Sequence, residues 1–213
     1  MIVIGLTGSV GMGKTQVSNY FKKMKIDVFD SDYQVKLLYE EKNIIKNIKL
    51  YFPSAFSNNR INKKTLADIV FKENKKLKLL ESLIHENLKT KQKKWIRKKI
   101  REKNKIVVFD VPLLYEKDNI KKYDYIIVVS CTKEIQKNRV LKRKNWNLTR
   151  LNYTLKKQLD NEIKKNMADI IIKTDRGKKH TLNEVLNIIK TLTDSETKYK
   201  PRTMGKVLSY FPI

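Results

Sequence analysis

Eight residues near the amino terminus have the types and the spacing needed to hold a phosphate chain. Residues 8–15 read Gly-Ser-Val-Gly-Met-Gly-Lys-Thr and fit G-x-x-x-x-G-K-[ST] at each fixed position. Glycines allow backbone conformations in which amide N–H groups converge on phosphate oxygens, and a following helix adds a favourable dipole. ATP and Mg²⁺ are therefore the expected ligands, bound by Gly8, Ser9, Val10, Gly11, Met12, Gly13, Lys14 and Thr15, with Thr15 on the metal.

The elements around this loop indicate an α/β fold. Residues 2–6 are apolar and β-branched, which suits a buried strand, and a helix is predicted from Gln16 to about Lys25. A second strand over 26–29 completes a βαβ unit and hence a parallel sheet. Three more short apolar segments predict further strands at residues 106–109, 125–130 and 169–172.

Carboxylates follow two of these strands. Asp30 and Asp32 come after the second strand, and Asp110 comes after the third. Ligands bind beyond the carboxyl ends of strands in open α/β sheets, and residues two apart on an extended segment share a side. A carboxylate there could accept the proton of an attacking hydroxyl, and Asp110 could hold Mg²⁺. The alternatives are helix capping for Asp30 and Asp32 and a solvated strand end for Asp110.

Two arginines and a histidine are weaker candidates. Arg139 and Arg143 are four apart on a helix predicted over 133–144, which places them on one face, where they could neutralise phosphate charge. Surface arginines are the alternative in so basic a chain. A second helix is predicted over 151–165. His85 lies in an apolar helical run, and its spacing favours a core or boundary position.

Composition limits the class of protein. The 213 residues carry a formal net charge of +26, which would attract polyanions. The basic residues are spread along the whole chain without interleaved aromatics, so we expect compositional drift and no specific nucleic-acid partner. Cys131 is the single cysteine, so no intrachain disulfide can form. No apolar segment approaches the roughly 20 residues that span a bilayer, and the expectation is a cytoplasmic protein without a membrane partner.

The ordered motifs resemble those of the dephospho-coenzyme A kinase family. Besides the loop, the chain carries an Asp-x-Asp at 30–32, a Pro-Leu-Leu-x-Glu at 112–116 and a Gln-x-x-Arg at 136–139. The resemblance runs over residues 2–177, in the order and at about the spacing of the family. It rests on residues 4–15, 28–32, 80–85, 109–116, 136–139 and 168–172, with Arg143 and Gln158.

The resemblance implies a P-loop kinase fold with a five-stranded parallel sheet, a helical acceptor-binding insertion and a lid. Its boundaries here would be a nucleotide-binding core at 1–32, 105–131 and 167–193, an acceptor domain at 33–104 and a lid at 132–166. The remaining residues, 194–213, have no counterpart in this pattern and are expected to form a loosely ordered tail.

It also implies a reaction: ATP phosphorylates the ribose 3′-hydroxyl of dephospho-CoA, giving CoA and ADP, the last step of coenzyme A biosynthesis. Carried over onto this chain, Asp32 would be the base, Thr7 would lie near the transferred group, and Arg139 would bind phosphate. Lys14 would also be catalytic, and Arg143 would also bind ATP. The acceptor would contact Asp32, His85 and Leu113.

The chain departs from the family pattern at three places. Ser9 stands where a glycine is usual, Glu86 stands where a proline commonly follows His85, and residues 173–177 lack the usual asparagine before Gly177. Two other functions stay open from the residues: a small P-loop kinase acting on a nucleotide or nucleoside, and a basic nucleic-acid-binding protein with a degenerate nucleotide site.

Overall fold

The computed structural model describes residues 1–57, 60–117, 120–194, 199 and 201–202. In chain order the strands are β1 (Ile2–Thr7), β2 (Asp27–Asp30), β3 (Phe56–Ser57), β4 (Arg60–Ile61), β5 (Ile106–Asp110), β6 (Tyr125–Ser130) and β7 (Ile170–Lys173). The α-helices are α1 (Lys14–Lys23), α2 (Ser31–Leu38), α3 (Lys42–Tyr51), α4 (Lys63–Lys72), α5 (Asn74–Arg101), α6 (Leu114–Lys117), α7 (Lys133–Leu141), α8 (Leu148–Lys156), α9 (Asn161–Asn166) and α10 (Lys178–Thr193). The chain divides into two compact units. The first unit contains Met1–Asp30 and the described residues from Arg97 onward, and the second unit contains Ser31–Ile96.

A parallel sheet in the order β2-β5-β1-β6-β7 forms the centre of the first unit. Every residue of β5 and β6 is buried, as continuous apolar strands require when both faces are covered. The predicted five-stranded parallel sheet is confirmed. Because parallel strands end at the same edge, β1, β2 and β5 bring Thr7, Asp30 and Asp110 to that edge, where Asp30 pairs in register with Asp110.

The helices after β6 differ from the prediction. The first ends at Leu141 instead of residue 144, and the second is divided into α8 and α9. The division has a local cause, because the Asp160 side chain accepts a hydrogen bond from the Glu162 N–H at 2.7 Å and so caps a new helix.

The second unit is helical, as predicted, with a small antiparallel hairpin of β3 and β4 that the sequence did not indicate. The turn that Asn58-Asn59 favours lies outside the described residues. Helix α5 runs unbroken over Asn74–Arg101, since neither glycine nor proline interrupts these residues. The core of this unit is an apolar cluster that includes Leu38, Ile44, Ile48, Phe52, Leu66, Val70 and Ile84.

Two described residues after α10 contact the core of the first unit. The Arg202 guanidinium pairs with Asp169 at 2.5 Å, and the Tyr125 hydroxyl donates to the Tyr199 carbonyl at 3.0 Å. The other residues of the predicted tail after Asp194, apart from Pro201, lie outside the described residues. Among the helices that the structure describes, none is long and apolar enough to cross a bilayer.

Candidate functional site

The glycine loop connects β1 to α1 and has the backbone shape that its sequence predicts. Gly11 has φ +81° and Gly13 has φ +94°, in the left-handed region that favours glycine. Gly8 is required for a different reason, since a Cβ there would lie 2.7 Å from the Val129 carbonyl oxygen. The loop therefore packs tightly against β6, and side chains larger than hydrogen would distort it at these positions.

Lys14 and Thr15 begin the helix that follows the loop. The Thr15 side chain is exposed, while the Lys14 ammonium contacts the Asp110 carboxylate. Asp110 is only 3% exposed. Burial raises the pKa of this carboxyl, and the positive charge of Lys14 and a hydrogen bond from Ser18 partly offset the increase. The predicted metal-binding residues thus lie on two elements of the first unit, Thr15 at the start of α1 and Asp110 at the end of β5.

The two carboxylates of the Asp-x-Asp motif do not lie on one extended segment. Asp30 is the last residue of β2, whereas α2 begins at Ser31, so Asp32 occupies the first turn of a helix and is exposed. The expectation that both residues lie on one extended segment is wrong, because the chain changes from strand to helix between them. Asp32 has the position that favours an acidic residue, near the positive end of the helix dipole.

Thr7 and Leu113 lie at the carboxyl edge of the sheet or just beyond it. Thr7 ends β1 and is fully buried, and its hydroxyl donates to the Pro112 carbonyl at 3.1 Å. Leu113 is half-buried in the turn before α6. The hydrogen bond fixes the start of the Pro-Leu-Leu-x-Glu segment beside the start of the glycine loop.

Two glutamine side chains form hydrogen bonds with the backbone of Val10, in the glycine loop. The Gln136 side chain donates to the Val10 carbonyl at 2.7 Å, and the Val10 N–H donates to the Gln158 side chain at 3.1 Å. Gln136 belongs to α7, and Gln158 follows α8. Both glutamines belong to the motifs described above, but no role could be predicted for them, because nothing local links them to a residue more than a hundred positions away.

The arginines are arranged differently from the prediction. Arg139 lies on α7 and bonds to Thr174, with Nη1 to the hydroxyl at 2.8 Å and Nη2 to the carbonyl at 2.7 Å. Arg143 lies beyond the end of α7 at Leu141, is exposed, and stacks near the Trp146 ring with 6.0 Å to its centroid. The expectation of one shared helix face is therefore wrong, because the helix ends before it reaches Arg143.

A buried ion pair was missed by sequence reasoning. Lys164 is fully buried, and its ammonium lies 2.8 Å from the Glu116 carboxylate, which also accepts the Leu159 N–H at 2.8 Å. Glu116 thereby joins the Pro-Leu-Leu-x-Glu segment to the chain around α9. Among 48 lysines and arginines, no local signal marks Lys164 as buried.

Each unit has its own cavity. That of the first unit is about 1080 Å³ and lies between the loop and the residues after β6 and β7, with both apolar and polar side chains in its lining, among them Met12, Ser130, Leu155, Asn161 and Asp175. That of the second unit is an apolar groove of about 430 Å³, which includes Tyr39, Val70, Phe71, Leu77, Leu80 and His85. His85 is exposed at its rim, so the core or boundary position favoured by its spacing is wrong. It lies one position beyond the buried stripe of α5 that contains Ile84.

Comparison with known proteins identifies the family of this chain. The family model described as dephospho-CoA kinase matches residues 2–180. A dephospho-CoA kinase of Bartonella quintana is 38% identical over 192 residues, which are 90% of this chain and 98% of the relative. A dephospho-CoA kinase of Fusobacterium nucleatum is 32% identical, with 90% of this chain and 99% of the relative covered.

Solved structures agree on the fold. A protein of Thermus thermophilus has a TM-score of 0.79 at 24% identity, covering 91% of this chain and 98% of the other. The dephospho-CoA kinase from Campylobacter jejuni has a TM-score of 0.67 at 22% identity, covering 90% and 96%. At these identities the likeness concerns the fold, while the family model and the sequence relatives establish the family. This chain belongs to the dephospho-CoA kinase family.

Proposed function

We propose that this protein transfers the γ-phosphoryl group of ATP to the ribose 3′-hydroxyl of dephospho-CoA, giving CoA and ADP. This is the last step of coenzyme A biosynthesis. The observation that carries the proposal is the glycine loop, with two glycines in the left-handed region and Lys14 beside the buried Asp110, in a chain of this family. Phosphoryl transfer depends mostly on positioning and charge stabilisation, which such a loop supplies.

The residues at the loop fit ATP and Mg²⁺. A Cβ at Gly8 or Gly11 would clash with neighbouring atoms, so glycine at these positions lets the loop backbone pack closely. Backbone N–H groups at the start of α1, which follows the loop, would bind phosphate oxygens. Thr15 and Asp110 would hold Mg²⁺, which neutralises phosphate charge when bound. When ATP binds, the Lys14 ammonium would leave Asp110 and contact the phosphates. The Asp110 carboxylate would then be free to bind Mg²⁺.

The remaining catalytic roles are assigned within the same proposal. Asp32 accepts the proton of the 3′-hydroxyl, and its exposure in the first turn of α2 leaves it accessible. Arg139 and Arg143 contribute positive charge toward phosphate from residues 132–166, the proposed lid. Thr7 contributes to the floor of the site beside the transferred group, where its hydroxyl is already bonded to Pro112.

The second unit is the proposed acceptor domain. The predicted boundary at residue 104 lies after α5, whereas the compact unit ends at Ile96, within it. Its groove combines apolar walls with His85 at the rim, which suits an acceptor that has both aliphatic and polar parts. His85 is the proposed acceptor contact in this unit, and Leu113 the one contributed by the first unit. A cytoplasmic location is part of the proposal and is tested by cell fractionation.

An acceptor panel tests the function. ADP release is coupled to an optical readout, with ATP and either dephospho-CoA, a series of nucleosides and nucleotides, or no acceptor. We expect release with dephospho-CoA alone, and phosphate at the 3′-position of the product by mass spectrometry and NMR. Preferred turnover with a nucleoside or nucleotide would assign the chain another acceptor and refute the proposal.

A further inference from the structure

Thr174 is the residue that follows β7, and it joins three parts of the site. Its hydroxyl donates to the Met12 carbonyl of the loop at 2.8 Å and accepts from Arg139 Nη1 at 2.8 Å. Its own carbonyl accepts from Arg139 Nη2 at 2.7 Å, and its N–H donates to the Ser130 carbonyl at 2.9 Å. The side chain is 3% exposed, so these contacts form away from competing water.

The direction of the hydroxyl bond decides what Thr174 can do for Arg139. A hydroxyl has one proton to donate, and here the Met12 carbonyl is its nearest acceptor. The lone pairs then face Arg139, which is a donor only. The loop therefore orients the hydroxyl, and the hydroxyl together with the adjacent carbonyl holds two nitrogens of one planar guanidinium, which fixes the plane of the group as well as its place.

The partners of Arg139 are neutral. In the described parts of the chain, no carboxylate lies within ion-pair distance of its guanidinium. Neutral acceptors immobilise a guanidinium without cancelling its charge, so the charge stays available for an anion. An arginine held by a carboxylate would offer much less of its charge to a phosphate.

The packing around Thr174 supports the same arrangement. A Cβ on Gly13 would lie 3.0 Å from the Thr174 hydroxyl, so the loop glycine before Lys14 is in close contact with this residue. Thr174 thus touches the loop at two successive residues, Met12 and Gly13, while it holds α7 through Arg139. This position lies in the segment 173–177, where the chain departs from the family pattern.

We propose that Thr174 is a positioning residue for phosphoryl transfer, acting through Arg139. The proposal rests on the function proposed above. Thr174 holds the Arg139 guanidinium at a fixed place relative to the glycine loop. The side chain therefore loses little conformational entropy when its positive charge contacts the phosphates of ATP. Arg139 is the group that touches phosphate, and Thr174 acts through it.

The test compares Thr174→Val with Thr174→Ser. Valine keeps the shape and removes the hydroxyl, whereas serine keeps both hydrogen-bonding functions. Because hydrogen bonds to charged groups are the stronger ones, we expect Thr174→Val to lower kcat/KM for ATP by about 10- to 100-fold and Thr174→Ser to stay within about threefold of the parent. Affinity for a fluorescent ATP analogue should weaken in the same order.

Thr181→Val is the matched control, because Thr181 is also buried and its hydroxyl donates to a local carbonyl, that of Gly177, at 2.9 Å. We expect Thr181→Val to lower the melting temperature and to leave kcat/KM for ATP close to that of the parent. Equal losses of kcat/KM in Thr174→Val and Thr181→Val would mean that any loosening after β7 has this effect, and would overturn the proposal.

A double-mutant cycle tests the route through Arg139. In an Arg139→Ala background, Thr174→Val should lower kcat/KM for ATP by less than about twofold further, since the guanidinium that Thr174 positions is gone. An undiminished further loss would show that Thr174 acts through the loop alone. Failure of the proposed function is distinguishable: absence of turnover with dephospho-CoA refutes that function, while nucleotide titrations on the parent and all five variants still decide the role of Thr174.

Discussion

The surroundings of the glycine loop in the first unit and the groove of the second unit are built from different kinds of interaction. Around the loop, side chains bond to backbone atoms: Gln136 and Gln158 to Val10, and Thr174 to Met12. In the second unit, apolar packing around Leu38, Ile48 and Phe52 supplies the core, and the groove wall is largely apolar.

The difference indicates how each region tolerates change. A hydrogen bond depends on distance and direction, so it holds a backbone loop in one conformation. Apolar packing is not directional and accepts substitutions that conserve volume. We therefore expect changes at the loop to affect the rate of transfer, and changes in the groove to affect the affinity for the acceptor.

The strongest test of this contrast is Lys14→Ala. The lysine ammonium would stabilise charge on the phosphates, so its removal should lower kcat on the order of 10³-fold. The fold should persist, because Lys14 contacts a carboxylate at the site and is not part of the apolar core. Coupled ADP release and circular dichroism measure the two quantities. Near-normal turnover would show that the loop is not the working nucleotide site.

The two carboxylates of the Asp-x-Asp motif provide the next test, since they belong to different units. Asp32→Asn keeps size but cannot accept a proton, so kcat should fall about 10²- to 10⁴-fold with ATP affinity unchanged. Asp30→Asn should cost less, because Asp30 lies at the sheet edge beside Asp110. Steady-state kinetics with ATP titrations decide the order, and the reverse order would assign the base to Asp30.

Substitution in the groove should produce a smaller and different effect. Phe71 is 72% exposed in the groove lining. Covering half of such a side chain is worth roughly 1 kcal/mol, so Phe71→Ser should raise KM for dephospho-CoA about fivefold and leave KM for ATP unchanged. Leu50→Ser is the control, since Leu50 is 68% exposed outside the groove lining. Similar kinetics in both variants would exclude the groove as the acceptor site.

The smallest expected effect concerns stability. Burial raises the pKa of Asp110 above its ordinary value, so the native state keeps this proton over a pH range where the unfolded state has lost it. The free energy of unfolding therefore falls as pH rises through that range, and the decrease is complete above the raised pKa. Asp110→Asn cannot titrate, and its stability relative to the parent should rise as the pH is increased from about 4.

Denaturant unfolding at several pH values measures this difference. Asp68→Asn, which changes an exposed carboxylate on α4 in the second unit, is the control and should follow the parent more closely. A relative stability of Asp110→Asn that stays constant or declines with pH would show that burial of Asp110 carries no such cost.

Local spacing along the sequence was enough to predict much of this protein. The glycine loop, the strand before it and the helix after it are specified within about twenty consecutive residues, so pattern and backbone chemistry determine them together. The buried strands β5 and β6 were also predicted from local sequence, because each is a short apolar run that ends at a polar residue, Asp110 in β5 and Ser130 in β6. These segments also placed Asp110 at the sheet edge.

Only the tertiary structure decided which distant side chains hold the site. Thr174 bonds to Met12 across 162 positions, and Gln158 bonds to Val10 across 148. The burial of Lys164 against Glu116 and the end of α7 before Arg143 were likewise set by packing and capping, which spacing does not encode. The physical reason is that a polar side chain has many possible partners of the same chemistry, and the folded chain selects one by bringing it within hydrogen-bond distance where water is excluded.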